Sequence, residues 1–172
     1  MSARVAVVVG NPRPGSRTLA AATYVAGRLA GRAPDLVVDL ADLGPALLDW
    51  AHPGVAGLVE QIGAADLVVV ASPTYKGTYT GLLKLFLDRF AGGTGLRGLA
   101  VPMLLGASER HHLAAELTLR PVLTEIGATV PGRALYVVDR DHEDPAVYAD
   151  WLAATSPVVS AFLRAREADA PR

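Results

Sequence analysis

Five short, largely apolar runs rich in β-branched residues recur along this chain, and segments of helical length separate them. Within a run the apolar residues follow one another directly instead of alternating with polar ones. That pattern is typical of strands in a parallel sheet that is covered on both faces. The runs are Arg4–Val9, Leu36–Leu40, Asp66–Ala71, Leu99–Leu105 and Ala134–Val138.

The segments between the runs have the length and pattern of crossover helices. Five strand–helix units with right-handed crossovers predict a three-layer α/β/α sandwich around a five-stranded parallel sheet. No internal repeat or linker divides the chain, so we expect one domain over residues 1–172, with Glu167–Arg172 as a frayed tail. The predicted helices are Ser16–Gly31, Pro53–Ala64, Thr80–Phe90, Glu109–Gly127 and Pro145–Ala168.

Composition restricts the function of the chain, which has 172 residues, 51% of them hydrophobic, and a formal net charge of -1. This balance gives no general electrostatic footprint for nucleic acid or an anionic membrane. The absence of cysteine excludes disulfides, thiolate metal sites and cysteine nucleophiles. Apolar stretches such as Leu99–Ala107 are shorter than the ~20 residues that span a bilayer, and Val5–Val9 is too short for a signal-peptide core. We therefore expect a cytoplasmic protein that binds neither nucleic acid nor membranes.

The loop after the first predicted strand, residues 10–18, reads GNPRPGSRT and leads directly into a helix. The backbone N–H groups and the dipole at the start of that helix favour an anion. The hydroxyls of Ser16 and Thr18 can donate hydrogen bonds to it, and Arg13 or Arg17 can neutralise its charge. The loop therefore predicts a phosphate site, and the alternative is that Ser16 only caps the helix.

The same loop argues against two common nucleotide sites. Gly10 and Gly15 match the ends of a G-x-G-x-x-G motif, but Pro12 stands at the middle position, where a dinucleotide needs close approach of the backbone. A P-loop needs lysine after its second glycine, and this chain has Ser16 there. A terminal monophosphate needs neither feature, so it is the phosphate that we expect.

The loop after the third predicted strand, residues 72–81, reads SPTYKGTYTG. Pro73 and Gly77 can hold the backbone close to a flat ligand, and Tyr75 offers a ring face. Neighbouring N–H groups can bond to the edge of a heterocycle. Taken alone, the pattern also describes a turn with exposed aromatic residues.

Together, GNPRPGSRT and SPTYKGTYTGLLKLFLD resemble the NADPH-dependent FMN reductase family of flavodoxin-like proteins, most closely the reductase components of alkanesulfonate monooxygenase systems. The resemblance covers nearly the whole chain and includes Arg120–Leu123 in the fourth predicted helix. It implies a flavodoxin-like fold, hydride transfer from NADPH or NADH to FMN, and supply of reduced flavin to a partner monooxygenase. One position departs from the family: related chains often have a tyrosine or a similar polar insertion in the fourth helix, where this chain has Leu117.

The resemblance also implies which residues hold FMN. The phosphate would lie at the first loop, the isoalloxazine ring against the second, and the pyrimidine edge near the loop after the fourth strand. His111 matches a position that the family often fills with histidine near the cofactor. The implied cofactor residues are Asn11, Arg13, Ser16 and Thr18 in the first loop, Pro73, Thr74, Tyr75, Lys76 and Gly77 in the second, and Gly106, Ser108 and His111 in or after the third.

Hydride transfer between two stacked rings needs oriented contact and no general acid or base, so no catalytic side chain is expected. Two other functions remain open from the sequence: an FMN-bound reductase of quinones, azo dyes or metal ions, and a flavodoxin-like electron carrier. Such carriers usually have a strongly acidic surface, and a net charge of -1 argues against one. Gly106–Arg110 matches the G-x-S-x-G elbow of a serine hydrolase only in part, because its last position is arginine.

The segment Leu82–Phe90 is apolar around more of its circumference than one stripe facing a sheet requires. This second apolar face predicts a subunit interface. Lys84 and Asp88, four residues apart, can pair within the helix or across a twofold axis. We expect a homodimer or a homotetramer with FMN close to the interface.

Overall fold

The computed structural model describes residues 3–168, and its five strands form one parallel sheet in the order β2-β1-β3-β4-β5. Each predicted run overlaps one of these strands, so the predicted parallel sheet is confirmed, although β3 and β4 extend two residues and one residue further than predicted. Strand order reverses beside β1, and ligands of such sheets bind at the carboxyl ends of the strands next to the reversal. The strands are β1 (Val5–Val9), β2 (Leu36–Asp39), β3 (Leu67–Pro73), β4 (Leu99–Gly106) and β5 (Leu135–Val138).

Helices cover both faces of the sheet, as the continuous apolar runs require. Along β1, Val7 and Val9 belong to the core under α1 and α5, whereas Ala6 and Val8 belong to the core under α2, α3 and α4. These four side chains are at most 2% exposed. The three-layer arrangement is therefore confirmed. The helices are α1 (Arg17–Ala30), α2 (Pro53–Gly63), α3 (Gly81–Leu87), α4 (Arg120–Glu125) and α5 (Ala146–Ala168).

The prediction of one continuous fourth helix over Glu109–Gly127 is wrong. The chain forms a 3-10 turn at Glu109–His111 and a π turn at Ala115–Leu119, and only Arg120–Glu125 is α-helical. Pro121 has no N–H group to donate to the carbonyl of the residue four positions earlier, which favours a break in the α-helical hydrogen bonding at the start of α4.

Three smaller differences concern the ends of elements. The helix α3 ends at Leu87 instead of Phe90, and a 3-10 segment, Leu40–Leu48, follows β2 where no element was predicted. Glu167 and Ala168, expected in the frayed tail, belong to α5, while residues 169–172 of that tail lie outside the described residues.

Within residues 3–168, α5 is the one helix that is long and apolar enough to cross a membrane by length and composition. Its most apolar 18-residue window has a mean hydropathy of 1.2, and 28% of that window is buried. Tyr148, Leu152, Val159 and Leu163 are its buried apolar side chains in the core beside α1. The exposed side of the helix carries charged residues, Asp150 and Arg164 among them, as well as apolar ones.

Candidate active site

The first loop folds around a buried hydrogen bond. Asn11 is 8% exposed, and its side-chain amide donates to the hydroxyl of Thr18 at 3.1 Å. The amide oxygen of Asn11 accepts the backbone N–H of Arg13 at 3.0 Å, which closes a tight turn. Ser16 then caps α1 by accepting the N–H of Leu19 at 3.3 Å. The loop therefore enters α1 with its backbone held in place and the Arg13 side chain exposed.

A carboxylate at the end of β2 supports the loop from the other side. Asp39 accepts the N–H of Gly15 at 3.0 Å with one oxygen and the N–H of Ala41 at 3.3 Å with the other. Gly15 has φ +63°, a left-handed conformation that glycine adopts without a steric penalty. Asp39 thus holds the turn that places Ser16 at the start of α1.

The second loop is a tight hairpin. Tyr75 and Thr78 exchange backbone hydrogen bonds of 2.8 and 3.3 Å, and Lys76 and Gly77 between them have φ values of +54° and +85°. Two successive left-handed residues are typical of a type I′ turn, which strongly favours glycine at the second place. At the base of the hairpin, the buried hydroxyl of Ser72 donates to the carbonyl of Pro73 at 2.8 Å and accepts the N–H of Thr80 at 3.0 Å. The hairpin therefore projects Tyr75 from a fixed base.

The third loop is held by a tyrosine on the neighbouring strand. The hydroxyl of Tyr136, in β5, donates to the carbonyl of Ser108 at 2.7 Å. The same hydroxyl lies against the backbone of Gly106, where any side chain would collide with it. Burial raises the pKa of Tyr136, so the phenol keeps its proton and remains a donor at neutral pH. The close approach of this ring explains why position 106 is glycine.

The three loops enclose a cavity of about 520 Å³ at the carboxyl ends of the strands, a size that is common for cofactor sites. Of the twelve residues expected from the sequence, eight line it: Asn11, Arg13, Ser16, Thr18, Pro73, Thr74, Tyr75 and Gly106.

The other four expected residues lie outside this lining. Lys76 and Gly77 form the tip of the hairpin, and Ser108 is exposed in the third loop. His111 is exposed too, and its ring lies beside Gly77. A Cβ atom on residue 77 would stand 3.9 Å from Nδ1 of His111. The structure thus gathers the phosphate-loop residues into the cavity and leaves the hairpin tip and His111 at its outer edge.

The charges of the cavity suit an anion at one end. Arg13 and Arg17 both line it, and the first turn of α1 contains no acidic residue that would compete for its free N–H groups. Asp139 is the acidic side chain in the lining, and it lies 3.6 Å from Arg17. The lining of the cavity therefore contains two arginines and one carboxylate.

The hydroxyl of Thr74 adds hydrogen-bonding capacity to the cavity. Its Oγ1 atom is buried close to the hydroxyl of Tyr136, and its backbone N–H donates to the carbonyl of Leu105 at 2.6 Å. A threonine hydroxyl has one O–H donor and two acceptor lone pairs, so it can bond to a ligand as well as to a neighbouring side chain. These residues therefore fit a ring with hydrogen-bonding groups, such as a flavin.

Sequence reasoning missed two residues of this region, Asp139 and Tyr136. Both belong to β5 or follow it, and the loop after the fifth strand was not considered as part of the site. The available signal was positional: Asp139 comes directly after an apolar run, at the same sheet edge as the other loops.

A five-stranded parallel sheet in the order β2-β1-β3-β4-β5 with helices on both faces is the flavodoxin-like fold. Comparison of the sequence with protein families identifies the family within this fold: residues 3–143 match the family described as NADPH-dependent FMN reductase. The chain belongs to this family, and it is an oxidoreductase that uses FMN and a reduced nicotinamide.

Individual relatives agree with the family. The chain is 33% identical to NADH-dependent FMN reductase SfnF of Pseudomonas fluorescens (strain Pf0-1). The alignment covers 97% of this chain and 89% of that protein. It is 31% identical to FMN reductase (NADPH) of Escherichia coli (strain K12), over 73% of this chain and 68% of that one. The solved structure of the NADH:FMN oxidoreductase EMOB in its apo form has a TM-score of 0.81 and 28% identity, and covers 95% of this chain and 90% of its own.

Proposed function

We propose that the cavity between the three loops is the FMN site, with the phosphate of FMN at the first loop. The N-terminal N–H groups of α1, the hydroxyls of Ser16 and Thr18 and the charge of Arg13 support this placement. The buried hydroxyl of Thr74 supports placement of the isoalloxazine ring against Pro73 and Tyr75. The observation that carries the proposal is that residues of all three loops line one cavity at the start of α1.

When bound, FMN accepts a hydride at N5 from C4 of the reduced nicotinamide. The chain contributes orientation to this reaction, because two rings in close contact need no general acid or base. Tyr75 is 50% exposed at the end of the rigid hairpin, so it can contact a ring that enters from solvent. We propose that NADPH or NADH stacks on the flavin at this open side of the cavity.

We further propose that reduced FMN leaves the protein and serves a partner enzyme, a flavin-dependent monooxygenase. The similarity over nearly the whole chain to FMN reductases such as SfnF supports this proposal. A protein that uses the intracellular pool of reduced nicotinamide in this way would work in the cytoplasm.

A second copy of the chain completes the proposed assembly by covering α3. Leu85 is 37% exposed on this helix, and a cleft of about 500 Å³ lined by Leu87, Phe90, Val122 and Ile126 lies between α3 and α4. Lys84 and Asp88 form an ion pair beside the cleft. We propose a homodimer through this surface, or a homotetramer that contains it. The mass of the Leu85→Asp variant in solution tests this interface. The variant would place a charge in the contact, so its mass should be lower than that of the wild type.

The activity is tested anaerobically by mixing the purified protein with excess FMN and either NADPH or NADH and following the flavin absorbance. Bleaching of many equivalents of FMN supports a reductase that releases its product, and the faster nucleotide identifies the donor. Retention of one equivalent of FMN, with electrons passed to quinones or azo dyes, would support a reductase with resident flavin instead. Binding of FMN without reduction by either nucleotide would contradict the proposal.

A further inference from the structure

Lys76 has a backbone conformation that lysine rarely adopts. Its φ is +54°, and it is the one non-glycine residue with a positive φ among residues 3–168. The left-handed region brings the Cβ atom of an L-residue close to the following carbonyl, so glycine, asparagine and aspartate are far more common there. Two-residue hairpin loops of this kind favour Asn-Gly or Asp-Gly. Lysine is therefore a poor residue for this turn, and residues held in such conformations cluster at functional sites.

The hairpin that carries Lys76 is tied to the segment after β4. The hydroxyl of Thr78 donates to the hydroxyl of Thr118 at 2.8 Å, and Thr118 donates to the carbonyl of Ala114 at 2.6 Å. The ring of His111, from the same segment, lies beside Gly77. These contacts hold the tip of the hairpin, and with it the strained lysine, in one position at the outer edge of the cavity.

The side chain of Lys76 places a positive charge at this edge. Lys76 and Lys84 are the two lysines of the chain, and Lys84 is paired with Asp88. Lys76 is exposed and makes no ion pair with another residue in the range 3–168. It directly follows Tyr75, which lines the cavity. An ammonium group in this place can bind an anionic group of a ligand that enters the cavity from solvent.

The chemistry of the two substrates indicates which anionic group this is. The phosphate of FMN is proposed to lie at the first loop, where Arg13 and the start of α1 serve it. The nicotinamide is proposed to stack on the flavin beside Tyr75. In NADPH and NADH alike, one ribose separates the nicotinamide from the pyrophosphate, whereas the 2′-phosphate of NADPH lies farther away, on the adenosine. Because Lys76 is the neighbour of Tyr75, the pyrophosphate is the group within its reach.

We infer that Lys76 binds the pyrophosphate of the reduced nicotinamide dinucleotide and thereby holds its ring over the flavin. The inference rests on the proposed function and deepens it, because it assigns Lys76 to the second substrate and not to FMN. The pyrophosphate is common to both dinucleotides, so Lys76 strengthens the binding of NADPH and NADH equally and does not select between them. Retention of lysine in the turn, in place of a residue that suits the turn better, follows from this role.

Anaerobic kinetics at saturating FMN and low salt test the inference with three hydride donors. Lys76→Gln should raise KM for NADPH and for NADH by the same factor, about three- to tenfold, with kcat unchanged, because the lost interaction is equal in the ground state and the transition state. N-benzyl-1,4-dihydronicotinamide, which has no phosphate, should show no change. Lys76→Arg keeps the charge and should stay near the wild type. Arg97→Ala removes an exposed positive charge just before β4, at the opposite edge of the sheet, and is the matched control.

The turn itself provides a measurement that does not use activity. Lys76→Asn gives the turn the Asn-Gly pair that it favours, so this variant should unfold at a higher urea concentration than the wild type. Calorimetric titration of its FMN complex with NADP⁺, which carries no hydride, should nevertheless show weaker binding, by the same factor as for Lys76→Gln. A lysine with only a structural role would not give higher stability together with weaker dinucleotide binding.

Four results would overturn the inference while leaving the proposed function intact. The first is an unchanged KM for both dinucleotides in Lys76→Gln. The second is an equal rise in KM for the benzyl donor, since the shape of the turn and not its charge would then matter. The third is weaker binding of FMN itself, which would mean that Lys76 contacts the flavin. The fourth is an effect on NADPH alone, which would place the 2′-phosphate at Lys76. Wild-type protein that reduces FMN with none of the three donors would instead contradict the proposed function, and the inference with it.

Discussion

The hydroxyl of Thr80 donates a hydrogen bond to the carbonyl oxygen of Gly10 across 2.6 Å and ties the start of α3 to the end of β1. The same hydroxyl accepts the N–H of Leu83 at 3.1 Å and caps α3. Thr80 is 4% exposed, so water cannot replace either bond. These two bonds therefore fix the position of α3, the helix after the Tyr75–Thr78 hairpin, relative to the loop that is proposed to hold the phosphate.

Replacement of this threonine by valine should lower both stability and flavin affinity. Thr80→Val keeps the shape of the side chain but leaves Gly10 and Leu83 each with an unpaired buried group. We expect a loss of about 1–3 kcal/mol in the free energy of unfolding by urea, and a higher KM for FMN. Thr80→Ser retains the hydroxyl and serves as the control. Equal stability of the two variants would show that the hydrogen bonds contribute nothing.

Phosphate recognition is tested by comparing FMN with riboflavin, which lacks the phosphate. Arg13→Ala should weaken FMN binding about tenfold and leave riboflavin binding unchanged, because the lost interaction is a charge-assisted hydrogen bond to phosphate. Ser16→Ala should act in the same direction and also cost about 1 kcal/mol of stability through loss of the α1 cap. Arg110→Ala, an exposed arginine outside the cavity lining, is the control. Equal losses for both flavins would refute the phosphate assignment.

The strands and the phosphate loop were predictable because their signals are local. Continuous apolar runs identify buried parallel strands wherever they pair, and Ser16 before a helical pattern indicates a helix start by itself. Tyr136 could not be placed in this way, since its contacts with Gly106 and Ser108 depend on β5 lying beside β4. Apolar runs carry no information about which strands are neighbours.

The resemblance to a family identified candidate cofactor residues that local chemistry alone could not identify. The structure places some of them in the cavity lining and others outside it. Thr74 lines the cavity, whereas Lys76 belongs to the tip of a hairpin because two left-handed residues turn the chain there. The sequence shows Pro121, but an apolar pattern of helical period does not distinguish an α-helix from a π turn such as Ala115–Leu119, because both place apolar side chains on one face.

A side chain at position 106 should be tolerated better when the Tyr136 hydroxyl is removed. Gly106→Ala forces the new methyl group against that hydroxyl, and we expect a loss of about 1–3 kcal/mol in unfolding free energy. The double variant with Tyr136→Phe should lose less than the sum of the single losses, because the two changes affect one contact. Thermal or urea unfolding of the four proteins measures the coupling. Additive losses would mean that Gly106 is required for another reason.

Alkaline pH should destabilise the protein through Tyr148. Burial raises the pKa of Tyr148 to about 12, and its hydroxyl donates to the carbonyl of His142 at 2.6 Å. The unfolded chain releases this proton near pH 10, so stability from the buried neutral phenol is complete below pH 10 and is lost as pH rises towards 12. Tyr148→Phe should be about 1 kcal/mol less stable at pH 7, and the difference should shrink between pH 10 and 12. A difference independent of pH would contradict this view of Tyr148.

Removal of the negative charge at Asp139 should strengthen FMN binding. Its carboxylate lines the cavity 3.6 Å from Arg17, so it both repels a phosphate and competes for the guanidinium. Asp139→Asn should lower the dissociation constant of FMN about two- to fivefold in dilute buffer, because pairs of exposed charges interact by a fraction of a kcal/mol. The gain should fade at high salt, where such charges are screened, and riboflavin should show none of it. Weaker FMN binding by Asp139→Asn would instead mean that Asp139 holds Arg17 in its binding position, and Arg17→Ala would then lower affinity by the same factor.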